Sequence, residues 1–153
     1  MRYAILVHTP EPYQSPTGII EAEVAPMLVR LASIGLRLFF LINIVLGILF
    51  WIGTVQVTPG IERVHIVVGV LFVVCVWYLG VVQALRGGPI WLLLATFLLG
   101  LALAVVGISQ ESIGTPPAIQ ITHLLLAILA AGSGEMSVAR IRRSGGTGAA
   151  KTA

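Results

Sequence analysis

Charge is scarce in this chain, and the scarcity decides its class. Only 10% of its 153 residues are Asp, Glu, Lys or Arg, 58% are hydrophobic, and the mean hydropathy is +1.03. A soluble domain carries about 25% charged residues, so a water-solvated fold is excluded and an integral membrane protein is implied. Cysteine is nearly absent too. Cys75 stands alone in mid-run, which excludes an intrachain disulfide and any paired-cysteine metal or redox motif and leaves it as a small core hydrophobe. The net charge of +3 and pI near 9.6 would suit nucleic acid. The basic residues flank apolar runs, however, rather than clustering with aromatics on a polar segment, so no nucleic-acid partner is expected.

What is present is four apolar runs, at about Leu31–Gly53, Arg63–Leu85, Pro89–Ser109 and Pro117–Ala139, each near the roughly 20 residues that a membrane-crossing helix needs. The links Thr54–Glu62, Arg86–Gly88 and Gln110–Pro116 are short and carry Gly or Pro, so consecutive helices are antiparallel neighbours. The expected fold is all-α: an integral membrane, antiparallel four-helix bundle with an internal two-helix repeat. Residues 1–29 read as an extended or partly helical arm on the membrane surface, residues 30–140 as the bundle and residues 141–153 as a basic, Gly/Ala-rich tail, disordered from Ser144. The stretch Tyr3–Val7 is too short for a signal-peptide core, and no cleavage site precedes Pro10, Pro12 and Pro16. His8 in that arm is a solvated residue.

Arg2, Arg30, Arg37, Arg86, Arg140, Arg142, Arg143 and Lys151 fall on the side that holds both termini, against Arg63 alone on the other. The positive-inside rule makes that side cytoplasmic, in a multi-pass protein of the cell's inner (plasma) membrane. Trp51 and Trp91 suit the two interfaces. Arg37 and Glu135 interrupt the first and fourth runs at similar depth, and a lone charge there costs about 2.5–3.5 kcal/mol on insertion scales, so the two are expected to pair.

The chemistry gathers on a motif that occurs twice. Pro59-Gly-Ile-Glu-Arg-Val-His65 and Pro117-Ala-Ile-Gln-Ile-Thr-His123 share the pattern P-x-I-[E/Q]-x-x-H. Proline opens a helix in each copy, so His65 and His123 lie at equal depth, about one and a half turns in, on the outer side. Gly69 and Ala127 follow one turn deeper, with Glu62 and Gln120 one turn outward. A flat ligand could lie in the slot between the second and fourth helices. Haem b is the first candidate, its iron held by His65 and His123 on opposite faces of the porphyrin. Glu62 or Gln120 would accept from the ring nitrogen turned away from iron, and Arg63 would meet a propionate. The alternatives are hydrogen-bonding histidines with no cofactor, and a metal or quinone site, for which only Glu62 offers a further ligand. No nucleophile or chain of ionisable groups for a hydrolase or proton relay is evident.

A span opening on Glu-x-x-His, a second histidine on the fourth span and an antiparallel four-helix unit together resemble one half of the haem A synthase family, over about residues 31–140. The family's members typically contain two such units. The resemblance implies that His65 and His123 are haem ligands and Glu62 a catalytic acid in an oxidoreductase. Four-helix b-type cytochromes in general are a match of similar quality, with electron transport as the implied role. The runner-up is a haem-free accessory subunit of a larger respiratory or photosynthetic complex. Beyond membrane lipid, the expected partner is a second copy or another subunit, packed on the small residues Gly100, Ala104 and Gly107 of the third helix.

Overall fold

A computed structural model describes residues 16–113 and 116–149, with side chains described for 26–110 and 116–144. It is all-helical there: α1 (Pro16–Trp51), α2 (Pro59–Leu85), α3 (Ile90–Ile113) and α4 (Pro117–Ala149). Each contains a stretch long and apolar enough to cross a membrane, Pro26–Trp51, Pro59–Leu85, Ile90–Gln110 and Pro117–Ser144. The chain is a multi-pass membrane bundle. Its first fifteen residues, with His8, lie outside the described residues.

The helix ends follow from local chemistry. Thr58 caps α2, its hydroxyl accepting from the Ile61 N–H at 3.4 Å, with Pro59 in the first turn. α1 and α2 end in the same way. Gly53 and Gly87 take φ of +70° and +77°, the left-handed conformation that glycine adopts without a Cβ clash. Each is followed by an N–H that reaches back to the last turn, Thr54 to the Leu49 carbonyl at 3.2 Å and Gly88 to that of Gln83 at 2.9 Å, as in a Schellman stop. The arm is partly helical, one of the two forms expected for it, while at the other end the helix outruns the sequence reading. α1 begins inside the arm at Pro16, and α4 continues through Ser144 to Ala149, because the cost of its late glycines, about 1 kcal/mol each, is spread over a helix already propagating from the membrane.

The bundle is a flattened rhombus. α2 and α4 pack on each other across the middle, while α1 and α3 flank them without touching. α2 meets α3 through small residues: Gly80 lies against Thr96, and Gly100 against the indole of Trp77, which stacks on Phe97 at 5.1 Å. The α3 face expected to await a partner is therefore used inside the bundle. Gly100 is buried against α2, and Gly107 is covered by His123. Periodicity places those glycines on one stripe, but not the side toward which the stripe turns.

Packing is uneven along the axis. The large side chains that are fully buried, Leu36, Val76, Leu79, Gln83, Leu92, Thr96 and Ser137, all lie toward the end that carries Arg30, Arg86 and Arg140. Toward the other end, residues 44–51, 59–69, 104–110 and 117–127 include none that is buried. We call these the arginine end and the histidine end. Arg37 and Glu135 pair at the former, Nε to Oε1 at 2.7 Å and Nη2 to Oε2 at 2.8 Å, a bidentate fork that fixes both side chains.

Candidate functional site at the histidine end

His65 and His123 come from helices that run in the same direction, each one and a half turns below its opening proline, and the close approach of α2 and α4 turns them toward each other. Their ring centroids are 6.4 Å apart with the planes at 44°. Each ring also leans on a flanking helix. A Cβ on Gly107 of α3 would lie 3.1 Å from His123 Cε1, and one on Gly47 of α1 would lie 3.9 Å from His65 Cε1. Phe50 adds an edge contact to His65 at 5.7 Å. The repeat is thus wider than its motif, since each hairpin supplies a glycine on its first helix and a histidine on its second. The glycines precede the histidines by 18 and 16 residues.

The polar atoms here are enclosed but unsatisfied. Nδ1 of His65 and Nδ1 of His123 are both buried without a hydrogen-bond partner, as is Oδ1 of Asn43. Asn43 donates its Nδ2 to the Phe39 carbonyl at 3.0 Å, and its amide faces Gly69, one turn below His65. A buried polar atom left unpaired costs about 1–3 kcal/mol, and the two facing imidazoles, with an amide one turn deeper, mark a polar stretch of the bundle. The sequence reading missed Asn43, although a signal existed, since it is the chain's single asparagine and sits inside an apolar run.

The other expected residues fall around the pair with unequal success. Gly69 and Ala127 are half-buried one turn deeper, as the helical spacing requires. Glu62 lies in the first turn of α2 and Gln120 in that of α4, both half-buried, yet neither accepts from Nδ1 of either ring. The three-residue step within each pair is a rise of about 4.5 Å, a spacing at which side chains can meet, but these side chains do not turn onto the rings. Arg63 is exposed. Cys75 is half-buried and free, with its Sγ near Gly35 of α1. Among the described residues, no group of three or more His, Cys, Asp or Glu converges, so the donor set is two imidazoles with a neighbouring amide oxygen.

Neither a protein-family model, nor a curated protein, nor a solved structure matches this chain. The site therefore has to be interpreted from its own geometry. Two facing imidazoles in an apolar surround can take a metal ion between them, share a proton, or hold a small polar molecule. Zinc usually recruits four ligands in a structural site and three in a catalytic one, more than this donor set offers. A metal that brings its own equatorial ligands needs only two.

Proposed function

We propose that His65 and His123 would together hold the iron of one haem b in a four-helix membrane protein of electron transfer or haem handling, similar to half of a haem A synthase. The ring separation carries this reading. Two metal–imidazole bonds of about 2.0–2.1 Å, each extended by about 1.1 Å from nitrogen to ring centre, span about 6.3 Å across one metal ion, and the pair stands at 6.4 Å. The small residues Gly47, Gly69, Gly107 and Ala127 around the pair support the same reading, because they offer a flat group little side-chain obstruction. Gly69 and Ala127 would lie against the ring, with Gln120 lining the mouth and Arg63 placed for a propionate. Asn43 lies one turn deeper. Glu62 is the candidate acid at the helix opening. Bound haem would supply a one-electron couple at its iron.

In this reading the arginine end and both termini are cytoplasmic and the site lies in the outer half of the plasma membrane, as the positive-inside rule requires. The seating of His123 on Gly107 and the edge contact of Phe50 favour a second reading, in which the rings are packing elements of a haem-free accessory subunit. The absorption spectrum of purified, reduced protein discriminates the two. The haem reading expects a sharp α-band that is lost or converted in both His65→Ala and His123→Ala. A featureless visible region after expression with haem supplied, or single variants that keep wild-type haem content, overturns it.

A further inference from the structure

Among the described residues between the span ends, the exterior is aliphatic and aromatic apart from Thr122, whose hydroxyl donates to the Ala118 carbonyl, and a charged pair on the seam between α1 and α4. There Arg37 and Glu135 form their fork with 55% and 43% of the side chains still exposed. Arg37 lies seven residues inside Arg30, about 10 Å along the helix, and Glu135 lies five residues inside Arg140. The pair therefore faces outward at hydrocarbon depth. Its hydrogen bonding is also incomplete. A guanidinium offers five N–H groups and a carboxylate about four lone-pair sites, and the fork engages two of each.

Beside the pair runs an apolar groove of about 280 Å³, lined by Leu36, Phe40, Ile128, Ala131 and Gly132. Gly132 is exposed, and the direction of its missing Cβ meets no atom within 4 Å. α1 and α4 are the most loosely joined of the neighbouring helices. An occupant that completes this surface must offer a donor and an acceptor together at this depth, and lipid acyl chains offer neither.

We propose that the α1/α4 seam is a two-fold interface with a second copy of this chain. A two-fold axis along the membrane normal sets α1 of each copy against α4 of the other. Arg37 then meets Glu135 of the second copy at its own depth, and the reverse holds by symmetry. Two intramolecular forks become one ring of alternating charge, and Gly132 lets the helices approach. The ring lies at the opposite end of the bundle from the imidazoles, so the proposal stands whether or not haem binds.

The test exchanges charges in the full chain. Subunits are counted in mild detergent by light scattering and in lipid vesicles by single-molecule photobleaching. Wild type is expected as a dimer. Arg37→Glu and Glu135→Arg each place like charges within and between copies, so each alone is expected as a monomer. Co-expressed with different tags, they are expected to purify as a mixed dimer, because every contact across the axis is then complementary. Gly132→Leu fills the groove while leaving both charges in the chain, and should raise the dimer dissociation constant by about tenfold or more while helicity and the Arg37–Glu135 pairing within each copy are unchanged. A monomeric wild type in vesicles, single-charge variants that remain dimers, or a mixture that fails to pair overturns the proposal. So does a Gly132→Leu protein that dimerises as wild type does.

Discussion

The two ends of this bundle solve the problem of buried polarity in opposite ways. At the arginine end, hydroxyls are satisfied by their own helices: Thr96 donates to the Leu93 carbonyl at 2.7 Å, Ser133 to Ala130 at 2.8 Å and Ser137 to Ser133 at 3.0 Å, local bonds that ask nothing of a neighbour. The charges pair, and the large side chains are sealed. At the histidine end, three enclosed polar atoms on Asn43, His65 and His123 have no partner, and no side chain is fully buried. The first end resembles a folded core. The second resembles a site, since stability alone would replace its polar groups with leucine.

Substitutions can break that contrast, beginning with the largest effect. Gly80→Ala drives a Cβ into the Thr96 hydroxyl where α2 crosses α3, and overpacking of this kind costs about 1–3 kcal/mol. At the other end Gly47→Ala meets only an ordinary 3.9 Å contact, and is expected within about 0.5 kcal/mol of wild type. Unfolding in mixed micelles measures both, and equal costs would erase the difference between the ends. Next comes Glu135→Leu, which strands Arg37. Its cost should reach about 2 kcal/mol, below the full insertion penalty because arginine can snorkel to the headgroups. Adding Arg37→Leu should recover most of it, as replacing an ion pair by apolar residues often does.

The finer predictions sharpen the comparison. Gly107→Ala places a Cβ 3.1 Å from His123 Cε1, so the ring must shift by a few tenths of an ångström. On the proposed haem reading the expected result is a change in haem affinity or ligand-field spectrum with little loss of thermal stability, whereas Gly47→Ala leaves both unchanged. The smallest effect belongs to Gln83, which with the unpaired indole Nε1 of Trp77 is an exception outside the histidine end. Its Nε2 donates to the Pro89 carbonyl at a long 3.3 Å, while its buried Oε1 is unpaired. Gln83→Met removes a weak bond and an unsatisfied acceptor together, and should be neutral within about 0.5 kcal/mol.

The spans, their connections and the matched depth of the histidines were legible in the sequence because each depends on quantities that run along one helix: hydropathy, proline position and a rise of about 1.5 Å per residue. The Arg37–Glu135 pairing was legible for the same reason, as two charges at one depth on adjacent helices have few other partners. What was not legible depends on rotation between helices. The stripe of Gly100 and Gly107 looked like a free surface because nothing in its spacing reveals that α3 turns it inward onto Trp77 and His123. Asn43 and Gly47 escaped because α1 carries no copy of the histidine motif, so their place beside His65 follows only from how α1 lies on α2. Glu62 and Gln120 were expected to reach the imidazoles; helical spacing permits that contact, but it does not fix the rotamers that would make it, and neither side chain bonds an Nδ1.

Tight packing at one end and open packing at the other also make the bundle a pair of tongs. From Leu79, in the sealed region, to His65 is 14 residues along α2, a lever arm of about 21 Å. A pivot of about 3° between the two helical hairpins at the closed end swings the imidazole by about 1 Å, several times the roughly 0.2 Å within which metal–ligand distances are held. The gap between the rings therefore answers to side chains that never approach it as well as to Gly107 and Phe50 beside it, and a methyl group added at Gly80 reaches the jaws from the fulcrum.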